Sequence, residues 1–237
     1  MIKNDLKSEQ ILDKLLDVVF CVSGNGVLFR EAVAHRTLIN INPKLCIAEK
    51  KAASDLDLFC AAHGVAFLRL DPTDRPRFDQ DLLAACCDAE ADLIALTFDR
   101  LLRKELVQAY AGRIINVHMA LLPSFKGFRA IEKALASGAT FVGATIHVVD
   151  EEMDAGPILV QTLVPVSRED TVELVGLRLF PKLRDAWLQT LAWFSKDRIK
   201  TTADGRLFVV GGDYATFPTC PATEISFPHY VRNQEGE

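Results

Sequence analysis

The sequence predicts an α/β protein: an open, mostly parallel sheet flanked by helices, followed by an antiparallel C-terminal part. Three observations carry that expectation. Short, continuous apolar runs bounded by turn residues recur through the first half of the chain. Helix-compatible segments lie between them. After about residue 140 the apolar runs lengthen and are joined by an acidic, turn-rich loop with no helical segment. A short apolar run closed by turn signals is the pattern of a strand buried on both faces. Strands alternating with helices imply βαβ crossovers.

Residues 1–16 read as a loose or helical lead-in. The first strand is residues 18–22 (VVFCV), which ends at the turn Ser23-Gly24-Asn25-Gly26. Further strands are expected at 45–48, 65–70, 92–96 (DLIAL) and 113–117 (RIINV), with helices such as 54–63 and 78–88 between them. Residues 141–149 (FVGATIHVV) and 158–166 (ILVQTLVPV) read as an antiparallel pair joined by 150–157 (DEEMDAGP). A long helix is expected from 171 to about 195, bent or broken at Pro181 because proline has no N–H to donate. Asp204-Gly205 and the run 207–210 suggest a small hairpin. The chain therefore divides into the lead-in, one domain over 17–217, and a Pro- and polar-rich tail over 218–237.

Composition narrows the class. With 237 residues, 49% hydrophobic and 25% charged, the chain has the make-up of a soluble globular protein. No apolar run approaches the roughly 18 residues of a membrane span, and the polar N-terminus lacks the apolar core of a signal peptide. A formal charge of −5 argues against a nucleic-acid surface. The six cysteines form no C-x-x-C pair and read as reduced, partly buried thiols. The expectation is a cytoplasmic protein that binds neither membrane nor nucleic acid.

In open α/β sheets ligands bind beyond the carboxyl ends of strands. One such end is Ser23-Gly24-Asn25-Gly26, where glycines and a helix N-terminus suit close backbone approach to a ligand, although a turn here also needs glycine for geometry alone. A second is Asn116-Val117-His118. Alternation puts the amide and the imidazole on one side of the strand. A lone histidine is more often satisfied by neighbouring backbone, but the stretch 119–127 (MALLPSFKG) reads as a sharply turning structured loop, which strengthens a site reading. Asp154 is the third candidate. Asp150, Glu151 and Glu152 read as a solvated face, whereas Asp154 is flanked by Met153 and Ala155 and followed at once by an apolar strand.

The motifs IINVH, LLPSFKG and GATIHVVDEEMDAGPILVQ, with SGNG and FDRLL upstream, occur in order across roughly residues 17–215. In this the chain resembles the folate-dependent formyltransferase family, and within it is most like the phosphoribosylglycinamide formyltransferases. The resemblance implies a Rossmann-like formyltransferase fold, 10-formyltetrahydrofolate as formyl-donor cosubstrate, and a small-molecule amine as acceptor. It requires neither a metal nor a covalent nucleophile, and a homodimer is compatible with it. It implies that Asn116 hydrogen-bonds the formyl oxygen, that His118 polarises the formyl group, and that Asp154 supports the histidine and manages proton transfer through water. Donors placed where negative charge develops are each worth roughly 10²–10³ in rate, and a positioned acid/base contributes about 10²–10⁴. For the folate it implies Phe98, Asp99, Arg100, Leu101 and Leu102, the loop residues Val149, Asp150, Glu151, Glu152 and Met153, and Arg75 near the outer part. For the acceptor it implies Gly24, Asn25, Gly26, Met119 and Lys126. It further implies a cis bond at Leu122–Pro123.

The chain departs from the family's pattern in several places. Asp99 stands where the family often has an apolar residue. On the acceptor side, Val27 and Leu28 follow the SGNG turn where polar, phosphate-holding residues are usual. Leu183 stands at the expected place of a glutamate that meets the acceptor's ribose. These departures point to an amine other than phosphoribosylglycinamide, with that compound as the alternative. A formyltetrahydrofolate hydrolase and a non-catalytic folate-binding module are the further alternatives. The related methionyl-tRNA formyltransferases carry an additional C-terminal domain, for which about forty residues after the long helix leave too little chain.

Overall fold

Strand formation follows the apolar runs. In the computed structural model, which describes residues 15–98, 100–214, 218–220 and 223–228, five parallel strands build one half of a sheet. They are β1 (Leu16–Val22), β2 (Ile41–Glu49), β3 (Ala66–Leu70), β4 (Leu93–Thr97) and β5 (Ile114–His118). Between and after them lie α1 (Val27–Ala34), α2 (Leu56–His63), α3 (Arg75–Asp88), α4 (Lys104–Ala109) and α5 (Ala130–Ala136). The antiparallel part adds β6 (Phe141–Val148), β7 (Ile158–Pro165), the long helix α6 (Val172–Ser195), a hairpin of β8 (Ile199–Thr201) with β9 (Leu207–Val209), and β10 (Thr219–Cys220). The main sheet has the order β10-β7-β6-β5-β4-β1-β2-β3. The strand order reverses direction between β1 and β4, which is where an open α/β sheet leaves a crevice.

The two faces of β1 show why its sequence is uninterruptedly apolar. Val18, Phe20 and Val22 pack into a core shared with α1, α2 and α6, where Trp187 and Trp193 are fully buried. Val19 and Cys21 point the other way, into a second core with Phe78 and Leu82 of α3 and Leu106 of α4. Local signals set the helix starts. The Asp74 side chain accepts from the Arg77 N–H (3.2 Å) at the head of α3, where Pro76 also sits in the first turn. Thr171 accepts from the Leu174 N–H (3.3 Å) at the head of α6.

Each expected strand is present, and β6 and β7 are antiparallel. The break expected in α6 is not, because the helix runs unbroken from Val172 to Ser195 with Pro181 inside. Leu177, whose carbonyl loses its helical partner, is 73% exposed, so the loss falls on the wet side of the helix. Cys21, Cys46, Cys60 and Cys86 are buried and Cys87 is exposed. Toward the C-terminus, Thr219 and Cys220 pair with Thr162 and Gln161 of β7. Gln189 Oε1 accepts the N–H groups of Glu224 (2.8 Å) and Ile225 (3.0 Å), and Phe227 is buried. Most of the lead-in (1–14) and the rest of the tail lie outside the described residues. No helix among the described residues is long and apolar enough to cross a membrane.

Candidate active site

The site grows from the seam where the parallel and antiparallel parts of the sheet meet. Asn116 of β5 pairs with Leu96 on its parallel side and with His147 of β6 on its antiparallel side, while His118 pairs with Thr145. Directly paired residues on antiparallel strands share a face, and so do residues two apart on one strand. Asn116, His118, Thr145 and His147 therefore form a polar patch on one face of the sheet, which Gln161, paired with Thr145, extends onto β7.

Two loops close over that patch, and each is shaped by a local constraint. The loop after β5 contains the cis bond Leu122–Pro123. It is tied to the sheet by Thr145, whose buried hydroxyl donates to the Ala120 carbonyl (2.6 Å) and accepts from the Leu122 N–H (3.1 Å). Gln161 Nε2 donates to the Leu122 carbonyl (2.9 Å). A Cβ on Gly143 would stand 2.3 Å from the Thr162 carbonyl oxygen and 2.6 Å from the Leu121 side chain, so only glycine serves there. The loop then returns its Phe125 carbonyl to the polar patch, where His118 Nε2 donates to it at 3.0 Å. The second loop, between β6 and β7, passes so close to its own strand that a Cβ on Gly156 would lie 1.8 Å from the Val148 carbonyl oxygen. Two residues earlier, Asp154 holds φ 51°, a left-handed conformation that costs a non-glycine residue roughly 1–3 kcal/mol.

That turn brings the Asp154 carboxylate to the patch. Its Oδ2 accepts the Gly127 N–H at 2.9 Å and lies 3.4 Å from His118 Nδ1. Its Oδ1 lies 3.8 Å from His147 Nε2. The carboxylate thus stands within reach of two imidazoles. Burial pushes the His147 imidazole below its ordinary pKa, against the opposing pull of the Val148 carbonyl and Asp154. Its Nδ1–H donates to the Val148 carbonyl (3.1 Å), which leaves Nε2 as a buried nitrogen with no hydrogen-bond partner, aimed at Asp154. Asn116 Oδ1 is likewise buried without a partner. A buried polar atom left unpaired costs about 1–3 kcal/mol, and two such atoms side by side mark a place built to receive polar groups from outside the chain.

Asn116, His118, His147 and Asp154 line a cavity of about 410 Å³. The expected residues Phe98, Arg100, Leu101 and Leu102 line it from the loop after β4. Val149, Asp150, Glu152 and Met153 line it from the β6–β7 loop, and Met119 from the end of β5. Arg100 is held by an ion pair with Glu49 at the end of β2. Arg75 lies outside the wall, with Nε donating to Asp79 (2.7 Å) and its other arm to the Leu101 carbonyl. Glu151 also lies outside, accepting from Gln108 (2.8 Å) beside Lys104. Lys126 reaches toward Glu152 (3.4 Å). Asp99 is outside the described residues.

On the acceptor side, Asn25 and Gly26 line a second groove together with the first turns of α1 and α6, whereas Gly24 does not. Leu183 is buried in the core at 3% exposure. The wall of α6 is made instead by Glu173, Gly176, Leu177, Phe180 and Pro181. His147 is the functional-looking residue that sequence reasoning passed over. Its signal was a histidine inside the apolar run FVGATIHVV, two residues from a threonine of the same face.

A family model described as formyl transferase matches residues 16–189. The phosphoribosylglycinamide formyltransferase of Bacillus subtilis is 35% identical over 170 residues, covering 70% of this chain and 87% of its own. Glycinamide ribonucleotide transformylase 1 from Symbiobacterium toebii superposes with a TM-score of 0.77 at 27% identity, over 83% of this chain and 94% of its own. A formyltetrahydrofolate deformylase from Pseudomonas syringae superposes at 0.73 with 25% identity, over 83% of this chain and 66% of its own. The model match spans well over half of the chain and takes in every strand from β1 to β7, so this protein belongs to the formyl transferase family.

Proposed function

We propose that this protein is a cytoplasmic N-formyltransferase that moves a formyl group from 10-formyltetrahydrofolate to a small-molecule amine other than phosphoribosylglycinamide. The observation that carries the reading is the convergence of Asn116, His118 and Asp154 on one cavity at the carboxyl ends of β4 and β5. The cavity suits a folate in its make-up. Leu96, Phe98, Leu102 and Val149 offer apolar surface to a flat heteroaromatic ring. When bound there, the folate supplies the formyl carbon.

The chain's own residues would then act as follows. Asn116 Nδ2 donates to the formyl oxygen, where negative charge grows as nitrogen attacks, and Asn116 Oδ1 accepts an N–H of the attacking amine and so aims its lone pair. His118 is oriented by the Phe125 carbonyl on one ring nitrogen and by Asp154 on the other, and adds electrostatic stabilisation of the same oxygen. Asp154, fixed by the Gly127 N–H, would accept the proton that the amine sheds and pass it to the folate nitrogen as the bond between that nitrogen and the formyl carbon breaks. His147, neutral through burial, stands on the far side of the carboxylate without adding a competing charge.

The test is a panel of primary amines with 10-formyltetrahydrofolate, following tetrahydrofolate release and identifying the N-formyl product by mass spectrometry. Turnover should fall by roughly 10²–10⁴ in His118→Ala and Asp154→Asn. Undiminished turnover in both variants would overturn the reading. Two other readings rest on specific likenesses. Saturable turnover of phosphoribosylglycinamide at micromolar concentration would favour the activity named for the Bacillus subtilis relative. Formate release at full rate without any amine would favour that of the Pseudomonas syringae deformylase.

A further inference from the structure

The second groove opens one strand away from the reacting centre. Leu96 lines the first cavity and pairs with Asn116, while the next residue, Thr97, lines the groove and pairs with Val22. The groove encloses about 750 Å³ between the turn after β1 and the N-terminal half of α6. Consecutive residues of a strand face opposite sides, so the groove and the cavity lie on opposite faces of the sheet and meet around its carboxyl edge, where β4 ends at Thr97.

Its chemistry does not suit a phosphate. The Ser23 hydroxyl donates to the Thr97 carbonyl (2.6 Å), and the Thr97 hydroxyl donates to the Cys21 carbonyl (3.2 Å). Asn25 Oδ1 takes the Val27 N–H (3.4 Å). The hydroxyl donors of the turn are thus engaged with the protein itself. Among the described residues no lysine or arginine lines the groove, and the charged lining residue is the exposed carboxylate of Glu173. The N-terminus of α1 carries only about half a positive charge, and the opposite wall, on α6, bears the full carboxylate of Glu173. The remaining surface is apolar: Val27, Leu28, Phe180, Pro181 and Leu177. Leu177 is 73% exposed, so a large apolar side chain stands in water until something covers it.

We infer that this groove holds the non-reacting part of the acceptor, and that this part is an unphosphorylated alkyl or aryl group, so that the acceptor is a primary amine on a hydrophobic body. The inference rests on the N-formyltransferase reading for its purpose, but the groove's preference can be measured apart from catalysis.

Calorimetric titration of the full chain with n-alkylamines from ethylamine to octylamine, and with phosphoribosylglycinamide, measures that preference directly. Affinity should rise about fourfold per added methylene, the factor that corresponds to burying one CH₂, and should exceed that for phosphoribosylglycinamide. Leu177→Lys, at an exposed helix position, should flatten the dependence on chain length. Affinity independent of chain length, or tighter binding of phosphoribosylglycinamide than of every alkylamine, overturns the inference. A length-dependent affinity with no formyl transfer to any amine supports the groove's preference and overturns the N-formyltransferase reading alone.

Discussion

His147 Nε2 lies 3.8 Å from Asp154 Oδ1 and makes no hydrogen bond of its own. A buried nitrogen left unpaired beside a carboxylate is costly, and it persists because the β5–β6 register places His147 opposite Asn116. The pair has a consequence for stability against pH. Burial holds the His147 pKa below its ordinary value of 6.5, so the unfolded chain binds a proton more readily than the folded one. The stability this site contributes is complete above 6.5 and is lost as pH falls through the window below it. Urea unfolding at pH of about 7.5 and about 5.5 should show a smaller loss in His147→Gln than in the parent protein. Parallel losses in the two proteins would rule out His147 as the source.

Asn116 is expected to act on the barrier. Asn116→Ala removes both the proposed donor to the formyl oxygen and the buried acceptor, and kcat should fall by about 10²–10³. Because Asn116 Oδ1 has no partner within the chain, the thermal unfolding midpoint should hardly move. A variant that loses stability while retaining kcat would assign this residue to structure.

Thr145 is expected to act through the loop. Its hydroxyl bonds Ala120 and Leu122 and receives Gln161 (3.1 Å), all within a buried setting. Thr145→Val keeps the shape and strands these groups, which should cost about 1–3 kcal/mol. The same change should lower kcat, since the loop it anchors carries the Phe125 carbonyl that orients His118. Stability and kcat measured together test this, and a fall in stability alone would detach the loop from the chemistry.

Gly156 is expected to tolerate no side chain. With a Cβ 1.8 Å from the Val148 oxygen, Gly156→Ala must displace the loop that carries Asp154. A loss of roughly 3–5 kcal/mol is expected, at the upper end for a point substitution. Gly176→Ala is the contrast: nothing lies within 4 Å of its Cβ position on α6, so stability should rise by about 0.5–1 kcal/mol. Equal effects at the two glycines would contradict the close approach at Gly156.

Much of the fold was legible because its signals are local. The run VVFCV is apolar at every position, and β1 turns alternate residues into two separate cores. The period of two placed Asn116 and His118 on one face before any partner strand was known. The start of α6 was likewise readable, because a Thr171 cap is a property of four consecutive residues. Three features were not readable. Pro181 sits inside an intact helix, which depends on that turn facing solvent. Leu183 points into the core while Phe180 and Pro181 form the groove, which depends on how α6 is rotated against β7. The pairing of Asn116 with His147 depends on the register between strands 31 positions apart in the chain (147 − 116).

By itself, then, the sequence determined the layered α/β architecture, the amide and imidazole leaving β5 together, and the presence of an acid in a turn that glycine and proline define. Those follow from backbone periodicity and from residues adjacent in the chain. Tertiary structure decided that Asp154 meets His118 and His147, that the Phe125 carbonyl orients the ring, and that an apolar groove with a carboxylate at its rim opens at the same carboxyl edge of the sheet. Each of these is a contact between distant segments, set by strand register and helix rotation, and neither quantity is written in any local run of residues.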